Sequence, residues 1–117
     1  MTKLIIAGGR DLNLSVGIVI SVLGLHNICP DEVVCGMASG IDALGKQFAN
    51  IKDIKVIEFP AKWKEHGRAA GPIRNKQMAE YGTALLLIWD GVSRGSASMK
   101  KEMEKLGKPV YEVILKG

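Results

Sequence analysis

Short runs of continuously apolar residues alternate along this chain with stretches of helical period. Leu4-Ile5-Ile6-Ala7 is the first run, closed by Gly8-Gly9. Glu32-Val33-Val34-Cys35 is the second, again followed by glycine, and Lys55-Val56-Ile57-Glu58-Phe59 is the third, ended by Pro60. Segment 83–89 is the strongest, dense in Leu and Ile, and 109–113 is the last. Continuous runs of this kind suit strands covered on both faces. Between them, 14–25 is so dense in apolar residues that a largely buried helix is expected, ended by Asn27 and Pro30. In 41–50, Ile41, Leu44 and Phe48 share one helical face, with Lys46 and Gln47 elsewhere. A polar loop with Trp63, His66 and Gly67 follows the third strand, and Gly71-Pro72 then opens a helix with proline in its first turn. The last helix carries Met99, Met103 and Leu106 inward and stops at Gly107.

Five strands joined by helices imply parallel pairing through right-handed crossovers. The expected fold is α/β, a Rossmann-like open parallel sheet of about five strands with helices on both faces. With 117 residues, the chain suits one domain spanning 1–117. Aromatic residues make up only 5% of it, so the core must be aliphatic. No internal repeat or low-complexity segment interrupts the alternation.

Charge and cysteine usage narrow the chemistry. The formal net charge of +4 fits an anionic ligand and is compatible with weak, salt-sensitive contact to nucleic acid. Lys100, Lys101 and Lys105 read as the solvated outer face of a helix. Cys35 ends an apolar run and reads as a buried thiol. Two cysteines without a signal peptide suggest a reduced, cytoplasmic protein. With no C-x-x-C pair and with His26 and His66 far apart, no metal site is expected. No apolar stretch is long enough for a membrane span.

In open α/β sheets, ligands bind outside the carboxyl ends of the strands, where the strand order reverses. Four glycine-bearing loops follow strands here. Gly8-Gly9-Arg10 lets backbone amides approach an anion and adds a forked donor, although it also suits a plain turn. Gly36-Met37-Ala38-Ser39-Gly40-Ile41-Asp42 leads into a helix start. Ser39 could cap that helix or bind the ligand, and Asp42 could cap it or accept a ribose hydroxyl. In Gly71-Pro72-Ile73-Arg74-Asn75, Arg74 falls in the first turn of its helix, where a cation is poorly placed unless an anion sits nearby. Asn75 could bond a base or ribose, or brace a neighbouring loop. In Asp90-Gly91-Val92-Ser93-Arg94-Gly95-Ser96, Gly95 and Ser96 open a further helix as a second phosphate cradle. Trp63 could stack on a base or cover the edge of the core, and Trp89, Met99 and Met103 read as structural.

Taken in order, these loops, with Ala61-x-Trp63 and Ser93-Arg94-Gly95-Ser96-Ala97-x-Met99, resemble the SLOG superfamily, and within it the small YspA/YpsA-related branch. The likeness runs over nearly the whole chain and rests on the ordered set of motifs. It implies a Rossmann-like fold and binding of nucleotides or nucleotide-derived ligands such as ADP-ribose derivatives. Related branches are the Lonely Guy phosphoribohydrolases and the DNA-processing protein DprA. The Lonely Guy motif P-G-G-x-G-T-x-x-E is matched here by 92–99, with Ser96 in place of threonine and Met99 in place of the glutamate. Leu12 stands where this branch often has an aromatic.

The expected function is therefore binding or sensing of a phosphoribosyl or ADP-ribose-like ligand through Gly8, Gly9, Arg10, Gly36, Ser39, Gly40, Asp42, Arg74, Asn75, Gly95 and Ser96. A nucleoside 5′-monophosphate phosphoribohydrolase or transferase is the alternative, with Asp42, Asp90 and Glu102 as candidate carboxylates and no catalytic residue assigned. A DprA-like nucleic-acid binder is the second alternative. The expected partner is a nucleotide-like small molecule, without a further cofactor and without a membrane, and a homodimer stays open.

Overall fold

The structure, a computed structural model, describes residues 1–9, 14–36 and 40–115. The elements run β1 (Lys3–Gly8), α1 (Val16–Leu25), β2 (Glu32–Gly36), α2 (Ile41–Ile51), β3 (Lys55–Phe59), α3 (Trp63–His66), a 3₁₀ turn (Gly67–Ala69), α4 (Ala70–Tyr81), β4 (Ala84–Trp89), α5 (Arg94–Lys105) and β5 (Val110–Ile114). The sheet is parallel throughout, in the order β3-β2-β1-β4-β5. The expected Rossmann-like architecture is thus the one observed.

The central strands explain why both faces need helices. Side chains alternate across a strand, so Leu4, Ile6, Ala84, Leu86 and Ile88 enter the core under α1 and α2. Ile5, Ala7, Leu85, Leu87 and Trp89 enter the opposite core, with Met78, Met99 and Met103 from α4 and α5. Leu4, Ile5, Ile6 and residues Leu85, Leu86, Leu87 and Ile88 are fully buried. Each such side chain contributes about 1.5–3 kcal/mol. An exposed ion pair such as Lys46–Glu58 is worth about 1 kcal/mol or less, so the two cores dominate the stability.

Three expectations about the helices need correction. The helix at 14–25 is not largely buried. Only Val19 and Leu23 are buried in α1, while Ile20 and Leu25 are exposed. A helix lying on one side of a sheet buries only the stripe that faces it, whatever the residues on its other side. Leu106 does not point inward either; it is the C-cap of α5 and is half-exposed. The polar loop after β3 is instead a short helix, α3, followed by the 3₁₀ turn.

At the β5 edge, the buried indole of Trp89 donates its Nε1–H to Glu112 Oε2 at 2.7 Å, and Lys100 Nζ lies 3.1 Å from Glu112 Oε1. The Lys100 ammonium, helped by the indole, holds the Glu112 carboxyl below the ordinary glutamate range. A depressed folded-state pKa stabilises the fold above the unfolded value, and that stabilisation is lost as pH falls through the folded value. Urea unfolding as a function of pH should show this acid-side loss, beginning at the ordinary glutamate value and continuing below it. Glu112→Gln should reduce the loss, at a cost near neutral pH of no more than about 1 kcal/mol.

Candidate functional site

The reversal of strand order falls between β1 and β4, and their carboxyl ends are locked together. A Cβ at Gly8 would overlap the Ile88 carbonyl and come within 3.0 Å of Ile41 Cγ1. Gly9 donates its N–H to the Ile88 carbonyl at 3.1 Å and accepts the Ile41 N–H at 3.2 Å. Gly9 thus joins β1, β4 and the start of α2, and its amide is engaged within the protein rather than offered to an anion. Gly40, the N-cap of α2, has a φ of 71°, a conformation natural to glycine.

Arg74 and Asp42 meet at the end of β2 from opposite faces of the sheet. A Cβ on Gly36 would run into the Arg74 guanidinium and would lie 3.0 Å from Asp42 Oδ2. Asp42 is buried in the first turn of α2, whereas Arg74 is half-buried. Because α4 begins at Ala70, Arg74 lies at the start of its second turn, not in its first. The helix dipole therefore explains less of its setting than expected, and the carboxylate across Gly36 explains more.

Asn75 performs the bracing role. Its Oδ1 accepts Arg74 Nε–H at 3.1 Å, and its Nδ2 donates to the Gly95 carbonyl at 3.3 Å and to Ser98 Oγ at 3.4 Å. This fixes the guanidinium and ties α4 to the opening turn of α5. The Nη1 end of that guanidinium lies against Gly36 at the end of β2. At the start of α5, Ser93 is the N-cap, Gly95 is exposed and Ser96 is buried, with its Oγ 3.4 Å from Ser93 Oγ. Asp90 Oδ1 accepts the amides of Val92 at 2.9 Å and Ser93 at 3.0 Å. Those two bonds hold its carboxyl below the usual range.

Gly8, Gly9, Gly36, Gly40, Asp42, Arg74, Asn75, Gly95 and Ser96 therefore gather at one edge of the sheet. Arg10 and Ser39 lie outside the described residues, as do Met37 and Ala38 of the second loop. Met99, at the position of the Lonely Guy glutamate, is buried in the core between α5 and the sheet. Glu102 is paired with Lys105 at 3.4 Å. The Cys35 thiol is buried, and desolvation followed by the nearby Asp42 charge pushes its pKa up to about 11, so it stays protonated. Among the described residues no group of three or more His, Cys, Asp or Glu could hold a metal, and no helix is long and apolar enough to cross a membrane.

Two features extend the predicted site. Lys62, Lys64, Arg68, Arg74 and Lys76 stand against one acid, Glu65, in 62–76, a local excess that equals the formal net charge of +4 of the whole chain. That excess is legible in the sequence as a charge count along 62–76. Within it, Trp63 is 52% exposed, so it does not cover the core as a tryptophan in a loop usually does.

No family model and no curated protein matches the chain. Among solved structures, it is similar to DNA processing protein A (DprA) from Streptococcus pneumoniae, with a TM-score of 0.74 and 17% identity over 96% of this chain and 50% of that one. The chain thus spans about half the length of that protein. The likeness is one of fold. It is the Rossmann-like fold that the SLOG resemblance implies.

The contact over Gly36 can be tested directly. Gly36→Ala should fold, because the atoms in the way are the ends of two side chains, with a stability change of about 1–3 kcal/mol. The Arg74 guanidinium should be displaced from the strand end in a crystal structure of the variant. An Arg74 left undisturbed beside the added methyl group would contradict the packing described.

Proposed function

We propose that the chain binds a nucleotide-derived ligand carrying a phosphoribosyl or ADP-ribose-like group at the carboxyl edge of the sheet, as a member of the YspA/YpsA-related SLOG branch. The observation that carries this reading is the half-buried Arg74 guanidinium, held at Nε by Asn75 with its Nη1 against Gly36 at the end of β2, beside Asp42. A forked, permanently charged donor set in this way suits a phosphate oxygen pair. Asp42 beside it would repel a bare anion but accepts hydroxyl donors. A ligand with both phosphate and vicinal hydroxyls matches a guanidinium set beside a carboxylate. Arg10, Ser39, Gly40 and Gly95 would add donors from the surrounding turns.

Binding is favoured over N-glycosidic hydrolysis by how the carboxylates are used. Asp90 accepts two amides of its own turn, Glu102 pairs with Lys105 on α5 and position 99 is an apolar core position, which leaves Asp42 as the one candidate carboxylate beside Arg74. The basic segment 62–76 and the name of the structural neighbour, DNA processing protein A, favour a second reading, contact with nucleic acid. That reading expects affinity for a single strand to fall steeply as salt rises.

Isothermal titration with AMP and with ADP-ribose tests the first reading. Arg74→Ala should weaken binding by about 1.5–3 kcal/mol, the usual range for hydrogen bonds to a charged group. Arg74→Lys should fall between, because it keeps the charge and loses the fork. Unchanged affinity in Arg74→Ala would remove Arg74 from the site.

A further inference from the structure

Trp63 leaves about half of its surface open to solvent. It is the only aromatic among the large hydrophobic side chains exposed in the described residues. Its six-membered ring lies against Gly71, with Cη2 3.4 Å from where a Cβ would lie, an ordinary contact distance. Gly71 and Arg74 are three residues apart in α4, on the same helix face. The Arg74 guanidinium reaches Gly36 at the end of β2, and Trp63 abuts α4 one turn earlier, at Gly71. The strand geometry places them at the same corner: Phe59 at the end of β3 is paired with Gly36, and Trp63 follows four residues later. Lys62 and Lys64, its neighbours in the chain, are exposed, as is Arg68.

We propose that Trp63 stacks the base of a nucleoside phosphate whose anionic group meets Arg74, which makes the ligand a base-bearing mononucleotide rather than a bare sugar phosphate. This rests on the binding reading above and adds the base to it. An open indole face gives a purine or pyrimidine a large contact at little entropic cost. A single stacking residue suits one base. Surfaces that track a strand present several aromatic side chains in succession, and here Phe59 and Tyr81 are only partly exposed.

Calorimetric titration of the full chain with AMP and with ribose 5-phosphate tests the proposal, with Trp63→Ala and Trp63→Phe as variants. AMP should bind more tightly than ribose 5-phosphate. Trp63→Ala should weaken AMP about five- to hundredfold, the range for one base stacked on one aromatic. It should leave ribose 5-phosphate unchanged, and Trp63→Phe should recover most of the AMP affinity. AMP should also quench the emission of the wild-type chain but not of Trp63→Phe, whose remaining tryptophan, Trp89, is buried. Equal binding of the two ligands, unaltered in Trp63→Ala, would overturn the stacking and leave the anion site at Arg74 standing. No binding of either would overturn both. Oligothymidylate that binds more tightly than AMP and is lost steeply with salt would overturn the mononucleotide assignment in favour of a strand.

Discussion

Burial of β1 and β4 on both faces is the constraint on which the rest of this structure depends. With parallel neighbours on each side and helices above and below, β1 has no solvent-facing side. Its continuous apolar run makes that environment favourable, and its closeness to β4 leaves no room for a side chain at Gly8. Because the chain leaves β1 toward one side of the sheet and returns to β4 on the other, the connecting helices lie on opposite faces. The crevice at their carboxyl ends follows from this topology. It brings Asp42 on α2 and Arg74 on α4 to opposite sides of Gly36.

The described chain buries three polar or charged residues, Asp42, Asn75 and Ser96, and all three stand at this edge. Burying such groups costs free energy unless their bonding is satisfied, so their concentration here marks the edge as something other than core. Asn75 shows how the requirement is met, since its amide bonds span Arg74, Gly95 and Ser98. The carboxylates divide in a comparable way. Asp90 shapes a turn, Glu112 binds Trp89 and Lys100, and Asp42 faces Gly36 beside the guanidinium. Fold likeness to DprA at 17% identity concerns the backbone architecture, and the functional argument rests on the side chains at the edge.

Strands and their order of appearance were legible because a continuous apolar run has few alternatives once turn residues bound it. The α2 face was legible for the same reason, since Ile41, Leu44 and Phe48 share a helical period. The exposure of Ile20 and Leu25 was not, because apolar residues state what a helix can bury and not what covers it. The α3 turn was hidden in a stretch that reads as polar loop. Arg74 was legible as a site residue, but for a reason that carries less weight than its real setting. The helix begins a residue earlier than its Gly-Pro pair suggests, and the partner that matters lies across the sheet.

By itself the amino-acid sequence determined the element types, the two-sided burial of the central strands and the glycine-bearing loops after them, because these depend on local periodicity and on the conformations that single residues allow. Tertiary structure alone decided that Gly36 is the point where Asp42 and Arg74 meet, that Asn75 is a brace and that Trp63 stands half-open beside Gly71. Those contacts join residues from different elements. Their geometry follows from how the helices sit on a twisted sheet, which no local pattern records.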